Sequence, residues 1–175
     1  MKLREQILKE HSKTNTARIV AWVGQNQARF DELFRLFLAD EHRVVQRAAW
    51  PLSYCVIQYP SLIKKHFGPL LKNLHKPGIH DAVKRNTMRL LQAVSIPKRY
   101  QGAVMDTCFN YIARPGEPVA IKAFSLTVLG ELSLQYPDII PEIKLLIEEN
   151  YERETAAFKS RAKKLLKKIS PKSLP

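Results

Sequence analysis

The chain has 175 residues, 45% of them hydrophobic, and its 29 Lys plus Arg against 16 Asp plus Glu give a net charge of +13 at pH 7. That length suffices for a single domain over 1–175 that buries a large core without staples. Its two cysteines, Cys55 and Cys108, are far apart and flanked by apolar residues, which excludes a disulfide framework and suits buried thiols in reducing surroundings.

In chain order, Met1-Lys2-Leu3-Arg4-Glu5-Gln6 mixes charges and lacks the apolar run of a signal peptide. No stretch approaches the roughly 20 apolar residues of a membrane span. A soluble, cytoplasmic protein with no integral membrane segment is therefore expected. Lys2 to His11 predicts a short capping helix with Leu3, Ile7 and Leu8 on one side. Thr14, Asn15 and Thr16 offer caps for a second helix that Gly24 closes. A third runs from about Ala28 to Ala39, with Phe30, Leu33, Phe34, Phe37 and Leu38 at the three-four spacing of one buried face.

From there the sequence repeats. Gln58-Tyr59-Pro60-Ser61-Leu62-Ile63 returns as Gln135-Tyr136-Pro137-Asp138-Ile139-Ile140, with a degenerate copy at Ser95-Ile96-Pro97. The triplet Val45, Ala49, Leu52 recurs as Val83, Thr87, Leu90, as Val119, Ala123, Leu126 and as Phe158, Ala162, Leu165. Positions i, i+4 and i+7 share one helix stripe, so each triplet predicts a buried seam whose small middle residue admits a neighbouring helix. Each copy ends near a proline, which sets a corner, and a helix follows: Ser61 to His75, Lys98 to Ala113, and Asp138 to Tyr151, with Ser61 and Asp138 as N-caps. Pro51 and Pro69 fall inside expected helices and should kink or break them. The loops at 76–79 and 113–118 carry turn residues. The triplets recur after 38, 36 and 39 residues, and helix pairs of that period make a helical-repeat solenoid, with almost no strand.

These residues resemble the HEAT repeats, with a lesser likeness to armadillo repeats, over nearly the whole chain. In that family the second helix of a pair opens with an Asp, a Val and an Arg or Lys. Asp40, Val44, Val45 and Arg47 match, as do Asp81, Val83 and Arg85; Val119 and Lys122 follow with Glu117 in the acid's place, and Lys159 and Arg161 with Phe158 in place of the valine. The resemblance implies an all-α, right-handed α-α superhelix of about four helix pairs with capping helices, whose second helices line a concave surface. A weaker likeness connects the chain to basic HEAT-like proteins that excise alkylated DNA bases, although no catalytic Asp aligns.

The charge is uneven: 61–99 holds nine basic residues against Asp81, 100–150 holds three against seven acids, and 151–175 holds eight against two. Arg43, Lys84, Arg85, Arg89, Lys98, Arg99 and Lys122 are the candidates for a basic concave groove, and Trp50 is its candidate aromatic. Arg47, Arg85, Lys122 and Arg161 compete as a ladder pairing with the acid of an adjacent repeat. The stretch 159–169 reads as a basic amphipathic cap helix, with Phe158, Ala162, Leu165, Leu166 and Ile169 on one face, and 170–175 as a frayed tail. His66, His75 and His80 match no zinc spacing, and there is no phosphate loop and no nucleophile setting. Neither cofactor nor metal is expected. The expectation is a non-catalytic binding or scaffold module for a protein partner. The alternative is a nucleic-acid-binding protein related to alkylated-DNA glycosylases.

Overall fold

The computed structural model describes residues 1–169, so the tail expected over 170–175 lies outside the described residues. Among the described residues there are ten α-helices, two 3-10 segments and no strand. The chain forms two compact units, Met1–Ser95 and a second beginning at Ile96. The division falls at the Ser95-Ile96-Pro97 corner, where Pro97 occupies the N-cap of the next helix.

The first unit holds α1 (Leu3–Lys9), α2 (Lys13–Val23), α3 (Gln27–Leu38), α4 (His42–Gln58), a 3-10 segment (Pro60–His66), α5 (Phe67–Leu74) and α6 (Asp81–Leu91). Its centre is α4, which packs against α1, α2, α3, the 3-10 segment and α6. Val44, Ala48, Ala49, Leu52, Cys55 and Val56 of α4 are fully buried. The alanines keep neighbouring axes close, and each large apolar side chain buried stabilises by about 1.5–3 kcal/mol.

The helix ends follow capping chemistry. Ser12 rather than Thr14 caps α2, its Oγ accepting from the Asn15 amide at 3.0 Å, because the helix starts two residues earlier than its hydroxyl cluster suggests. Asn15 is buried instead, and its amide donates to the Gln6 and Glu10 carbonyls at 2.8 Å each, tying α1 to α2. Gly24 ends α2 at φ 49° and ψ −137°, a conformation that a Cβ disfavours. Asn26 caps α3 through the Arg29 amide.

The expected prolines behave differently from one another. Helix α4 continues through Pro51, which is buried, so no break occurs there. The helix expected over Ser61 to His75 is split: it is 3-10 up to His66 and α from Phe67, which puts Pro69 in the first turn, where its missing N–H has no helical partner to lose.

The second unit holds α7 (Lys98–Ala113), α8 (Val119–Leu132), a 3-10 segment (Pro137–Ile139), α9 (Ile140–Tyr151) and α10 (Ala156–Ile169). Here α8 packs against both α7 and α10, and α9 against α7 and α10. Gly130 lets α8 meet α10: a Cβ built there would lie 2.5 Å from Leu165 Cδ1. On α10, Phe158, Ala162, Leu165 and Ile169 are buried, while Leu166 is only half-buried.

The four seam triplets fall on α4, α6, α8 and α10, one per helix pair, and ten of their twelve residues are buried. The sequence repeat is also a backbone repeat. Tyr59 (φ −135°, ψ 77°) and Tyr136 (φ −127°, ψ 72°) each stand at the N-cap of a 3-10 segment with proline at its first position. In both, the tyrosine amide bonds the carbonyl four residues back, Cys55 or Leu132, and its own carbonyl accepts from the residue three ahead, Leu62 or Ile139. Ser61 and Asp138 therefore do not cap; Pro60 and Pro137 take the first position, and Asp138 sits in the first turn, where its charge suits the helix dipole.

Candidate interaction surface

One side of α4 is committed to the core, and the residues between its seam positions come out on the other side. Arg43, Arg47, Trp50, Tyr54 and Gln58 follow one another by four, three, four and four residues, which places them on a single helix stripe. Arg43, Tyr54 and Gln58 are exposed, and Trp50 and Arg47 are half-buried. Tyr54 retains 43% of its surface and Ile57, beside it, 39%. Two exposed large side chains on the most heavily packed helix of the unit are not required by packing.

The stripe is framed by basic side chains from the link before α2 and from α6. His11, just before α2, meets the Trp50 ring at 5.3 Å between centroids, edge to face, and Trp50 in turn lies 6.4 Å from Tyr54. From α6, the Arg89 guanidinium lies 5.7 Å over the Tyr54 ring, within reach of a cation–π attraction. Arg85, one turn earlier on α6, is exposed. Burial, together with the positive charges of Arg47 and Arg85, holds the His11 imidazole below its usual range. Burial also lowers the Arg89 guanidinium; the Tyr54 phenol opposes the shift, while Arg85 adds to it. These shifts place Arg47, Arg85, Arg89 and His11 in one electrostatic neighbourhood.

A buried polar chain sets where Arg89 sits. Ser53 Oγ lies 2.8 Å from the Trp50 carbonyl and 3.2 Å from Asn86 Oδ1. Asn86, itself 1% exposed, donates to the Ala82 carbonyl at 2.7 Å and accepts from Arg89 Nη1 at 2.6 Å. Hydrogen bonds to a charged group are among the stronger kind, so Asn86 anchors the arginine against the aromatic stripe. Arg47 is held in a different way, its Nη1 donating to the Leu8 carbonyl at 2.7 Å.

Between α2 and α4 the surface opens into a pocket of about 310 Å³ lined by Lys13, Thr16, Ala17, Val20, Ala21, Trp50, Tyr54 and Gln58. Its walls are mostly methyl and aromatic groups, with Lys13, Gln58 and the hydroxyl-bearing Thr16 and Tyr54 as the polar residues, which is the usual make-up of a site that seats an apolar group and orients it with few polar contacts.

The candidate residues separate accordingly. In the first unit Arg43, Arg85, Arg89 and Trp50 gather on the α4 and α6 face. Lys84 does not join them: it is 9% exposed, and its ammonium pairs with Asp81 at 2.8 Å on the same helix. In the second unit Lys98 and Arg99 are exposed at the start of α7, with Arg99 lying 4.8 Å over Tyr100. Lys122 is 3% exposed and ion-paired with Glu154. Lys122 thus pairs, as the expected ladder requires, with an acid of a neighbouring helix pair. Asp40 instead pairs with Arg4 at 3.2 Å, and Glu117 lies 3.8 Å from Arg114.

The histidines serve local structure. His66 Nε2 lies 2.7 Å from Asp31 Oδ1 and stacks 4.2 Å from Phe34, and His80 Nδ1 accepts from the Ala82 amide at 3.0 Å as the N-cap of α6. Tyr54, His11, Lys13 and the Ser53–Asn86 link were not singled out from sequence. The stripe itself was present in the sequence as the i, i+3, i+4 complement of the seam, but the approach of α2 and His11 depends on tertiary packing.

No helix among the described residues is long and apolar enough to cross a membrane. A set of helix pairs that carry a recurring, mostly buried triplet, two of them turning through the same tyrosine–proline corner, defines a helical-repeat protein. The model of the HEAT repeat domain matches residues 3–169, and the chain belongs to the HEAT-repeat family. That match carries no DNA-repair assignment, so the weaker likeness to base-excising relatives finds no support. No curated protein and no solved structure matches the chain significantly.

Proposed function

We propose that the chain is a non-catalytic binding module that holds a protein partner on the α4 and α6 face of its first unit. The observation that carries this reading is the exposed Trp50–Tyr54 stripe framed by His11, Arg85 and Arg89. Tryptophan, tyrosine and arginine are the side chains that contribute most at protein interfaces: the two aromatics bury large areas while losing few rotamers, and arginine adds a planar fork of donors. A helical-repeat surface is formed before the partner arrives, so little ordering cost opposes association. The groove residues Arg43, Arg85 and Arg89 belong to this surface in the proposal; Lys84 and Lys122 hold internal ion pairs and are left out of it.

Affinity capture from nuclease-treated lysate, using the chain and its Tyr54→Ala, Arg85→Glu variant, tests the reading. The expected result is a discrete protein that survives nuclease and is lost with the variant. Recovery that disappears on nuclease treatment would transfer the surface to nucleic acid, the alternative that the positive charge motivates. Recovery unchanged by the variant would remove this face from partner binding.

A further inference from the structure

The pocket between α2 and α4 and the cations around it lie side by side, and their chemistry narrows the partner. Resting on the protein-binding reading above, we infer that the element recognised is an acidic chain segment carrying one bulky apolar side chain. The apolar side chain seats in the pocket between Ala17, Val20, Ala21 and the Trp50–Tyr54 edge, and flanking carboxylates meet Lys13, His11 and Arg85.

Three observations favour a carboxylate-bearing peptide over a nucleic acid. The pocket is walled by methyl groups and ring edges, which accept an aliphatic or aromatic side chain but offer few partners to the polar edge of a base. Trp50 is also not an open stacking platform: it is half-buried, with His11 edge-on at 5.3 Å and Tyr54 at 6.4 Å, while Arg89 lies over one face of Tyr54. Finally, the charge is local. Lys13 at the start of α2 and Arg85 on α6 supply the positive charge beside the aromatic stripe, which suits acids flanking a central anchor, and the His11 imidazole just before α2 offers a hydrogen bond.

The test uses tryptophan emission in a Trp22→Phe background, so that Trp50 alone reports. Two acetylated peptides, GEEFAEEG and GEEAAEEG, and a short DNA duplex are titrated separately, at low and at physiological salt. GEEFAEEG is expected to shift Trp50 emission and to bind at least about tenfold more tightly than GEEAAEEG, the ratio set by burial of its phenylalanine. Ala17→Phe, a change at an exposed position that fills the pocket mouth, should abolish that ratio while leaving the far-ultraviolet melting curve intact. Arg85→Glu should weaken both peptides by about tenfold. Equal binding of the two peptides would overturn the anchor pocket and leave the protein-binding reading standing. Binding of duplex but of neither peptide would overturn both. Binding of no probe would overturn the inference, and the reading above would then rest on the nuclease-treated capture alone.

Discussion

Asp31 on α3 receives Lys65 at 2.6 Å, His66 at 2.7 Å and Gln27 at 2.9 Å. Burial pushes its carboxyl up, but those hydrogen bonds and the Lys65 charge outweigh burial and bring it down to about 2. A carboxyl lowered in the folded state contributes stability above its ordinary value of 3.8 and loses it as pH falls towards 2. The side chain is 35% exposed, so solvent screening reduces the contribution to about 1 kcal/mol. Asp31→Asn should accordingly lower stability by about that amount at pH 6, and the two unfolding curves should converge as pH approaches 2. A constant difference across that range would assign the effect to packing. The cysteines behave in the opposite sense. Burial pushes the Cys55 thiol up to about 12 and the Cys108 thiol higher still, although Ser125 pulls the latter down slightly. Neither forms thiolate near neutrality. A chromogenic thiol reagent at pH 8 should label no cysteine in the native protein and both after denaturation.

The repeated corner shows where elements of identical sequence diverge. Tyr59 and Tyr136 share backbone geometry, but their side chains meet different surroundings. The Tyr136 hydroxyl donates to Gln101 Oε1 at 2.6 Å, and Gln101, buried, donates to the Ile96 carbonyl at 3.0 Å, so the corner is pinned to the start of α7. The Tyr59 hydroxyl only accepts from its exposed neighbour Gln58 at 3.2 Å. Tyr136→Phe should therefore cost about 1 kcal/mol in chemical denaturation, and Tyr59→Phe close to nothing. Helices, seams and corners were legible in the sequence because proline position and the i, i+4, i+7 spacing are local. The helix expected from about Lys98 to Ala113 forms there. What was not legible depends on other elements. Ser12 wins the cap of α2 because α1 ends just before it, and Asn15, which reads as a cap, is drawn into a buried bridge. Likewise, Lys84 and Arg85 are adjacent and chemically alike in sequence. The pairing of Lys84 with Asp81, and the turn of Arg85 to solvent, emerge only once α6 is seated.

At the scale of the whole molecule, charge and exposed aromatic surface are distributed unequally. The first unit carries 16 basic and seven acidic side chains, a net +9, against 13 and nine, a net +4, in the second. In the first unit basic groups surround an aromatic stripe and a pocket. In the second, the depression of about 500 Å³ between α9 and α10 is lined by Lys144, Ile147, Glu148, Tyr151, Glu152 and Leu166, with both signs of charge mixed. That contrast is why the proposal puts the partner on the first unit. The exposed apolar residues Ile57 on α4 and Leu145 on α9 allow the choice to be read in one measurement. A photoreactive benzophenone side chain is placed at one or the other position and irradiated in lysate. The account predicts a discrete protein cross-link from position 57 that is absent from position 145. A protein cross-link from position 145 alone, or nucleic acid joined at position 57, would contradict it.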